Sequence, residues 1–396
     1  MGIAGSRVAV IGGSIAGCAA AIALARAGCD VTVFERTQGV LRDRGFGIGM
    51  PPSMIETLIA AGYVSPVLPV VPGEERVFVV RDGDTPAGRV LWRQPLPVRF
   101  TNWSLLWRSL RQQVADPVYR DGVIAVIEDM NDMGVTVSAG TSAGTRFDLV
   151  VGADGYNSAV RQRVAPGSSP HLPGYGLWRG TYPERLLPDG ATAALEPGAM
   201  MVCFPGGHAM IYLIPDHLRT GRRLVNWGVY LCPPQPMTDP ALIPPGQVPT
   251  ATMIPLRDAV TRGFPPLWAD VVGRTPAERI SVQPIFDVIA PQYVSGRLAL
   301  AGDAGTTARP HTGSGAVKAL EDALALESGC HSAAEWASVL AGYDRARAAA
   351  GNALTTLGRS LGRVLVENTP DWGALSETDL PELWREAASG RMSLYE

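Results

Sequence analysis

Apolar residues follow two rhythms along this chain of 396 residues, and the change between them divides it. Arg7 to Ile11 is a short apolar strand, Ile15 to Ala27 an alanine-rich helix, and Val31 to Phe34 a second strand ending at Glu35. Strand, turn, helix and strand in that order predict the opening unit of a parallel α/β sheet. Pro51 to Gly62 predicts a helix with prolines in its first turn, where a missing N–H costs nothing. Trp103 to Val114 predicts another, while Asp148 to Ala153 and Arg297 to Ala301 predict buried strands that each run into a glycine turn. Between about residues 166 and 285 the rhythm becomes alternation. Met200 to Phe204 and Met210 to Ile214 flank Pro205-Gly206-Gly207, a hairpin signal. In Arg223 to Leu231, Val225, Trp227, Val229 and Leu231 alternate with Asn226, Gly228 and Tyr230, as in a half-buried strand. A mostly antiparallel sheet is therefore predicted as an insertion, with the stretch near Pro72 to Pro97 belonging to it. Helices are expected from Gly313 through Gly329 and from Ala333 to about Val366, with a loose surface extension after them.

The length suits two closely packed domains. A net charge of −3 supplies no basic field, which argues against a nucleic-acid partner. Cationic charge is almost wholly arginine, Lys318 being the only lysine. Five cysteines without paired spacing predict reduced, buried thiols in a cytoplasmic protein, and the five histidines show no metal-ligand spacing. The start carries no signal-peptide pattern and no apolar run is long enough to span a membrane.

Three separated stretches carry the chemistry: Gly12-Gly13-Ser14-Ile15-Ala16-Gly17, Asp154-Gly155-Tyr156-Asn157-Ser158-Ala159-Val160-Arg161, and Gly302-Asp303-Ala304 through Gly313-Ser314-Gly315. Gly12 permits a sharp reversal from strand to helix and Gly17 lets the helix pack close. The helix N-terminus at Ile15 and Ala16 then offers free N–H groups to a pyrophosphate. Ser14 stands where a second glycine is usual, and its hydroxyl can itself bond a phosphate. Glu35, followed by Arg36, lies about 20 residues on, where a carboxylate receives ribose hydroxyls. This turn alone leaves NAD, FAD or another dinucleotide open. The late stretch separates them, because Asp303 suits the hydroxyls of a sugar-alcohol chain. A second helix N-terminus at Gly315 would also stabilise negative charge on a reduced isoalloxazine ring.

On these residues the chain resembles the FAD-dependent aromatic hydroxylases, single-component flavoprotein monooxygenases with a fold like p-hydroxybenzoate hydroxylase. Within that family, Gly-Gly-Ser-Ile and Arg309 to Gly315 are most similar to the 2,6-dihydroxypyridine hydroxylase branch. The resemblance implies an α/β fold: a Rossmann-like FAD-binding domain (1–71, 98–165 and 286–396, with C-terminal helices) and an inserted, mostly antiparallel substrate sheet (72–97 and 166–285). It implies FAD contacts at Asp154, Gly302, Asp303 and Pro310, with Arg108 beside the flavin and Arg44 and Gly47 near the cofactor or the incoming nicotinamide. NADH or NADPH would bind transiently, with Arg44 and Arg161 as candidate phosphate partners. The implied reaction uses O2 and a flavin C4a-hydroperoxide to hydroxylate or epoxidise an aromatic or heteroaromatic small molecule, in a monomer or homodimer. Phe204, Tyr212, Trp227, Phe286 and Pro310 are candidate pocket residues, and Tyr212, His217 and His311 candidate bases. Thr306 stands where most relatives have histidine. A reductase, dehydrogenase or non-catalytic flavoprotein is the alternative; the Trp-x-Trp-x-Ile-Pro signature of flavin halogenases is absent.

Overall fold

The computed structural model describes residues 2–39, 41, 46–140 and 142–390. Its first sheet is six-stranded, in the order Val294–Ser295, Leu298–Leu300, Leu149–Gly152, Arg7–Ile11, Asp30–Phe34 and Tyr119–Arg120. Every pair is parallel except the Val294–Ser295 edge. Such strands are buried on both faces and therefore run apolar throughout, as Val8, Val10, Val150, Val151 and Ala299 show at 0% exposure. The register aligns Ile11 with Gly152 and Gly152 with Leu300. Three strands thus end level, and the three glycine stretches leave from one edge of the sheet. That alignment turns distant sequence motifs into neighbours.

The second sheet is eight-stranded: Ser281–Pro284, Gly176–Pro183, Arg223–Leu231, Gly207–Pro215, Gly198–Phe204, Val71–Val80, Arg89–Asn102 and Gly47–Met50. It is antiparallel apart from one parallel pair, Gly198–Phe204 with Val71–Val80. The Arg89–Asn102 strand runs past the boundary drawn at residue 97, and Gly47–Met50 joins the sheet from outside the expected insertion. Both faces are covered. The far face packs on two helices, Thr250–Gly263 and Pro266–Gly273, through Val202, Ile211, Val225, Trp227, Phe264 and Trp268. Neither helix was expected, because the prolines of this region mask the helical period and Pro255 lies inside the first. The near face packs on the long helix Trp336–Gly362, the turn that follows it, and a last helix, Asp379–Ala387.

That last helix corrects the expectation of a loose extension. Pro381 falls in its first turn, where proline is compatible with a helix. Leu380 and Trp384 bury one side, and Trp384 stands 4.4 Å from the guanidinium carbon of Arg76. A three-stranded meander, Ala125–Asn131, Gly134–Ala139 and Ser142–Phe147, was also not anticipated. Of the cysteines, Cys18 and Cys203 are buried as expected, whereas Cys232 is exposed.

Candidate functional site

Where the level strand ends meet, a cleft of about 550 Å³ opens. Of the residues singled out from sequence, Gly12, Ser14, Ile15, Ala16, Glu35, Arg36, Asp154, Asp303 and Gly315 border it, together with Ile48, Trp103 and Tyr156. The first turn is built rigidly. Gly12 has φ +103°, and a Cβ there would lie 2.3 Å from the Ala153 carbonyl oxygen, so only glycine fits. Gly13 donates to Glu35 Oε2 at 2.8 Å, while its carbonyl accepts from Trp107 Nε1 at 2.9 Å and Tyr119 Oη at 3.0 Å. Behind the wall, Gly17 packs so tightly on the Gly12 carbonyl that a Cβ would come within 1.8 Å of it.

Two of the helices that begin at the cleft lack a side-chain cap. Neither Ser14, ahead of Ile15–Arg26, nor Ser314, ahead of Gly315–Ser332, bonds its helix through its hydroxyl. Their first N–H groups and positive dipole ends are left for an anion in the cleft. The Asp303 carboxylate makes no hydrogen bond to a described residue. The protein packed round its carboxyl raises its pKa although the side chain is open to solvent, an effect countered by the nearby charges of Lys318 and Arg161. Glu35 is already engaged at both oxygens, from Gly13 and from the Thr37 N–H at 2.8 Å, and keeps one lone pair on each. Asp154 turns back on its own helix, accepting from the Ala159 N–H at 2.7 Å and from Ser158 Oγ at 2.5 Å.

The remaining candidates stand outside the cleft lining. Gly302 (φ +60°) donates to Asp322 Oδ2 at 2.8 Å and accepts from Lys318 Nζ at 2.9 Å, so the Gly-Asp turn is held from behind by a buried ion pair. Arg161 was expected to face a phosphate. It is instead 2% exposed and donates to the Ala304 carbonyl at 3.1 Å, stapling the middle stretch to the late one. Its role is architectural. Arg108 is half-buried on Trp103–Arg111, and Trp103 at the start of that helix borders the cleft in its place. Gly47 donates to Asn226 Oδ1 at 2.9 Å and accepts from Tyr212 Oη at 3.1 Å, which docks its segment on the large sheet. Pro310, Gly313 and Ser314 belong to the loop leading into Gly315–Ser332, tied down by Arg309 bonding Asp287 at 2.9 Å. Arg44 lies outside the described residues. Thr306 is 0% exposed and packs toward Gly351, so the position lies behind the site.

Alternation sorts the pocket candidates. Tyr212 is on the near face, its ring 4.4 Å from that of Phe100, and burial pushes its pKa up to about 12. A phenol of that kind keeps its proton at neutral pH and donates. His217 lies beside Asn102 with nitrogens 3.3 Å apart. His311 is buried, with Nε2 2.6 Å from Tyr175 Oη and no partner for Nδ1 among the described residues; burial holds its pKa well below the usual histidine value. Phe286 is buried with its ring 5.0 Å from that of Tyr156, which borders the cleft. Phe204 and Trp227 are corrected: both point to the far face, into the dry core, where Trp227 Nε1 donates to Thr275 Oγ1 at 2.7 Å. A one-residue step in a strand puts a side chain on the wrong side of the sheet.

The cleft fits a long, twice-charged dinucleotide with a polyol arm: two uncapped helix N-termini face it, and the Asp303 carboxylate, unbonded among the described residues, borders it. The comparisons with known proteins agree. Residues 7–60 match the pyridine nucleotide-disulphide oxidoreductase family model, and residues 172–282 match the FAD binding domain-like model. The chain is 30% identical over 334 residues to 2,6-dihydroxypyridine 3-monooxygenase of Paenarthrobacter nicotinovorans, covering 81% of each. The chain belongs to the FAD-dependent aromatic hydroxylases. It is 29% identical over 372 residues to kynurenine 3-monooxygenase of Salinispora arenicola, covering 86% of this chain and 76% of that one. In fold it is similar to 2,6-dihydroxypyridine-3-hydroxylase from Arthrobacter nicotinovorans, with a TM-score of 0.81 and 24% identity over 94% of this chain and 96% of that one. As a member of this family the chain is an FAD-dependent monooxygenase that uses NAD(P)H and O2 on an aromatic substrate.

Proposed function

We propose that the cleft holds FAD through named contacts and that an electron-rich, hydroxylated aromatic or heteroaromatic ring, of the dihydroxypyridine or aminohydroxybenzoate kind acted on by the relatives, lies against the near face of the large sheet. The observation that carries this reading is the meeting of two uncapped helix N-termini and the unengaged Asp303 carboxylate in one cleft. The N–H groups at Ile15 and Ala16 take the pyrophosphate. Glu35 takes a ribose hydroxyl on its remaining lone pairs, Asp303 takes the ribityl hydroxyls, and the N-terminus at Gly315 faces the ring end. Bound there, FAD accepts two electrons from NAD(P)H and activates O2 for transfer of one oxygen atom.

The chain's own residues do the rest. Tyr212, holding its proton, donates to Gly47 and fixes the segment between sheet and cleft. Wall residues Ile48, Trp103 and Tyr156 keep water away from the reacting edge. His311, neutral and in the same turn as Pro310, is bonded through Nε2 to Tyr175 and steadies that turn. NAD(P)H visits transiently. The chain's cysteines, free thiols in the described residues, suit a cytoplasmic enzyme. Among the described residues no helix is long and apolar enough to cross a membrane.

The purified protein should be yellow, and NADH or NADPH oxidation should quicken when a suitable ring compound is added. With 18O2 the product should carry one labelled oxygen. Ring-stimulated oxidation without label would mean a reductase or dehydrogenase, and a flavin unresponsive to every ring would mean a non-catalytic binder.

A further inference from the structure

Gly13 is a glycine for a reason its own backbone does not supply. Its φ lies outside the left-handed region, unlike that of Gly12. What it makes room for is a side chain: a Cβ at Gly13 would lie 2.2 Å from Tyr119 Oη and 2.5 Å from the Cζ that carries it. With that space open, three donors converge on one carbonyl. Trp107 Nε1 reaches the Gly13 oxygen at 2.9 Å, Tyr119 Oη at 3.0 Å and Cys18 Sγ at 3.3 Å. They come from three elements: the helix Trp103–Arg111, the strand Tyr119–Arg120 and the helix Ile15–Arg26. Burial pushes the Tyr119 pKa above the usual phenol value and that of Cys18 up to about 12, so both keep the protons they donate. Arg111 lies over the Tyr119 ring, 4.1 Å from its centroid, and is itself fixed by a bond to the Val114 carbonyl at 2.7 Å.

Two donors already satisfy a carbonyl oxygen, which has two lone pairs. The third bears on the rest of the peptide. A trans peptide is planar, and its N–H points away from its C=O. The Gly13 oxygen faces Trp107 and Tyr119, neither of which borders the cleft. The Ser14 N–H therefore faces the other way, and Ser14 does border the cleft. That N–H makes no hydrogen bond to a described residue. Donors on the oxygen of a peptide polarise it and strengthen its N–H as a donor in turn. The preceding peptide is fixed as well, because the Gly13 N–H is held by Glu35. The late turn is supported in the same manner: the Gly302 N–H donates to Asp322, and its carbonyl accepts from Lys318. In each turn a carboxylate takes the glycine N–H and a side chain from outside the turn takes its oxygen.

We propose that Tyr119 and Trp107 are positioning residues for the pyrophosphate of FAD. They aim and polarise the Gly13–Ser14 peptide, and Gly13 is kept small so that the phenol can reach it. This inference rests on the reading of the cleft as the FAD site. It goes further by assigning part of the affinity for the phosphates to two side chains that stand behind the turn.

FAD affinity is measured by equilibrium dialysis and the bound coenzyme is observed by 31P NMR, with circular dichroism as the check on folding. Tyr119→Phe keeps the ring and removes one donor. It should weaken FAD about threefold to tenfold, the scale of one hydrogen bond. Trp107→Phe should do the same, and serves where the tyrosine variant does not fold. In each variant a phosphorus resonance of bound FAD should move while the visible absorption of the flavin ring stays as in the native protein. A general loosening of the fold would disturb both ends of the coenzyme. Gly13→Ala drives a methyl group into the phenol and should weaken FAD more than either variant, and adding Tyr119→Phe to it should cost little more. Native FAD affinity in both phenylalanine variants, unmoved phosphorus resonances, or a ring spectrum that shifts along with them would each overturn the proposal. A native protein that binds no FAD at all would instead overturn the site reading beneath it.

Discussion

The large sheet is buried on both faces, and the two faces are built of different residues. Away from the cleft, Val77, Val79, Met200, Val202, Ile211, Val225, Trp227 and Val229 form an apolar layer sealed by two helices. Toward the C-terminal helices and the cleft, the same strands mix apolar Phe78, Val80, Leu177, Met201 and Cys203 with Arg76, Arg179, His208, Tyr212, Asn226 and Tyr230. One face converts burial into stability. The other accepts polar groups that weaken the core, which is tolerable because the far face is so thoroughly packed. Position along a strand thus decides whether an aromatic residue enters the sealed far core or the mixed near face.

Substitutions can test this division. Trp227→Ala, on the far face, should cost about 3–5 kcal/mol in urea denaturation, while the folded fraction keeps its flavin content. A much smaller loss would mean the far face is not the stabilising one. Asp303→Ala, in the cleft, should leave the denaturation midpoint of the flavin-free protein nearly unchanged. It should weaken FAD by about 1.5–3 kcal/mol, read by equilibrium dialysis; unaltered FAD affinity would remove Asp303 from the site.

Acid should expose the polar side of the sheet. Burial lowers the pKa of His208 from 6.5 to about 3, and that of His311 also falls well below 6.5. The unfolded chain takes up protons near pH 6.5 that these folded rings refuse, so stability should fall as pH drops from about 6.5 toward 3. At pH 5 the loss from His208 is about 2 kcal/mol, and above about pH 8 neither ring should contribute a slope. His208→Gln should flatten the acid limb of stability against pH; an unchanged limb would mean the ring is protonated in the fold. The smallest stability effect belongs to Tyr230→Phe, under about 1 kcal/mol because its hydroxyl makes no bond to a described residue. Urea denaturation should read it, and a larger loss would mean that the hydroxyl is engaged in the fold.

Much of the cleft was legible in the sequence because its chemistry is local. A strand that must reverse at Gly12, or present Asp303 at a turn, declares itself in glycines and small residues within a few positions. What was not legible depends on distant partners. Arg161 reads as a surface cation until Ala304, 143 positions away in sequence, is seen to accept its proton donors. Alternation marked the strand around Trp227 correctly as an element but could not tell which side met the cofactor, since helices cover both. The helix Asp379–Ala387 was hidden by Pro381, read as a breaker although it sits where a helix accepts proline. Trp103 escaped notice because arginine, rather than tryptophan, is the residue a phosphate site brings to mind.

Lys318 has a practical consequence. Its ammonium is held between the Gly302 carbonyl and Asp322 and is 4% exposed. Amine-directed reagents therefore find no side-chain target while this region stays closed. Acylation at that nitrogen would act as a clock, counting how often the support behind the late glycine turn breathes open. FAD, by steadying that turn, should slow it.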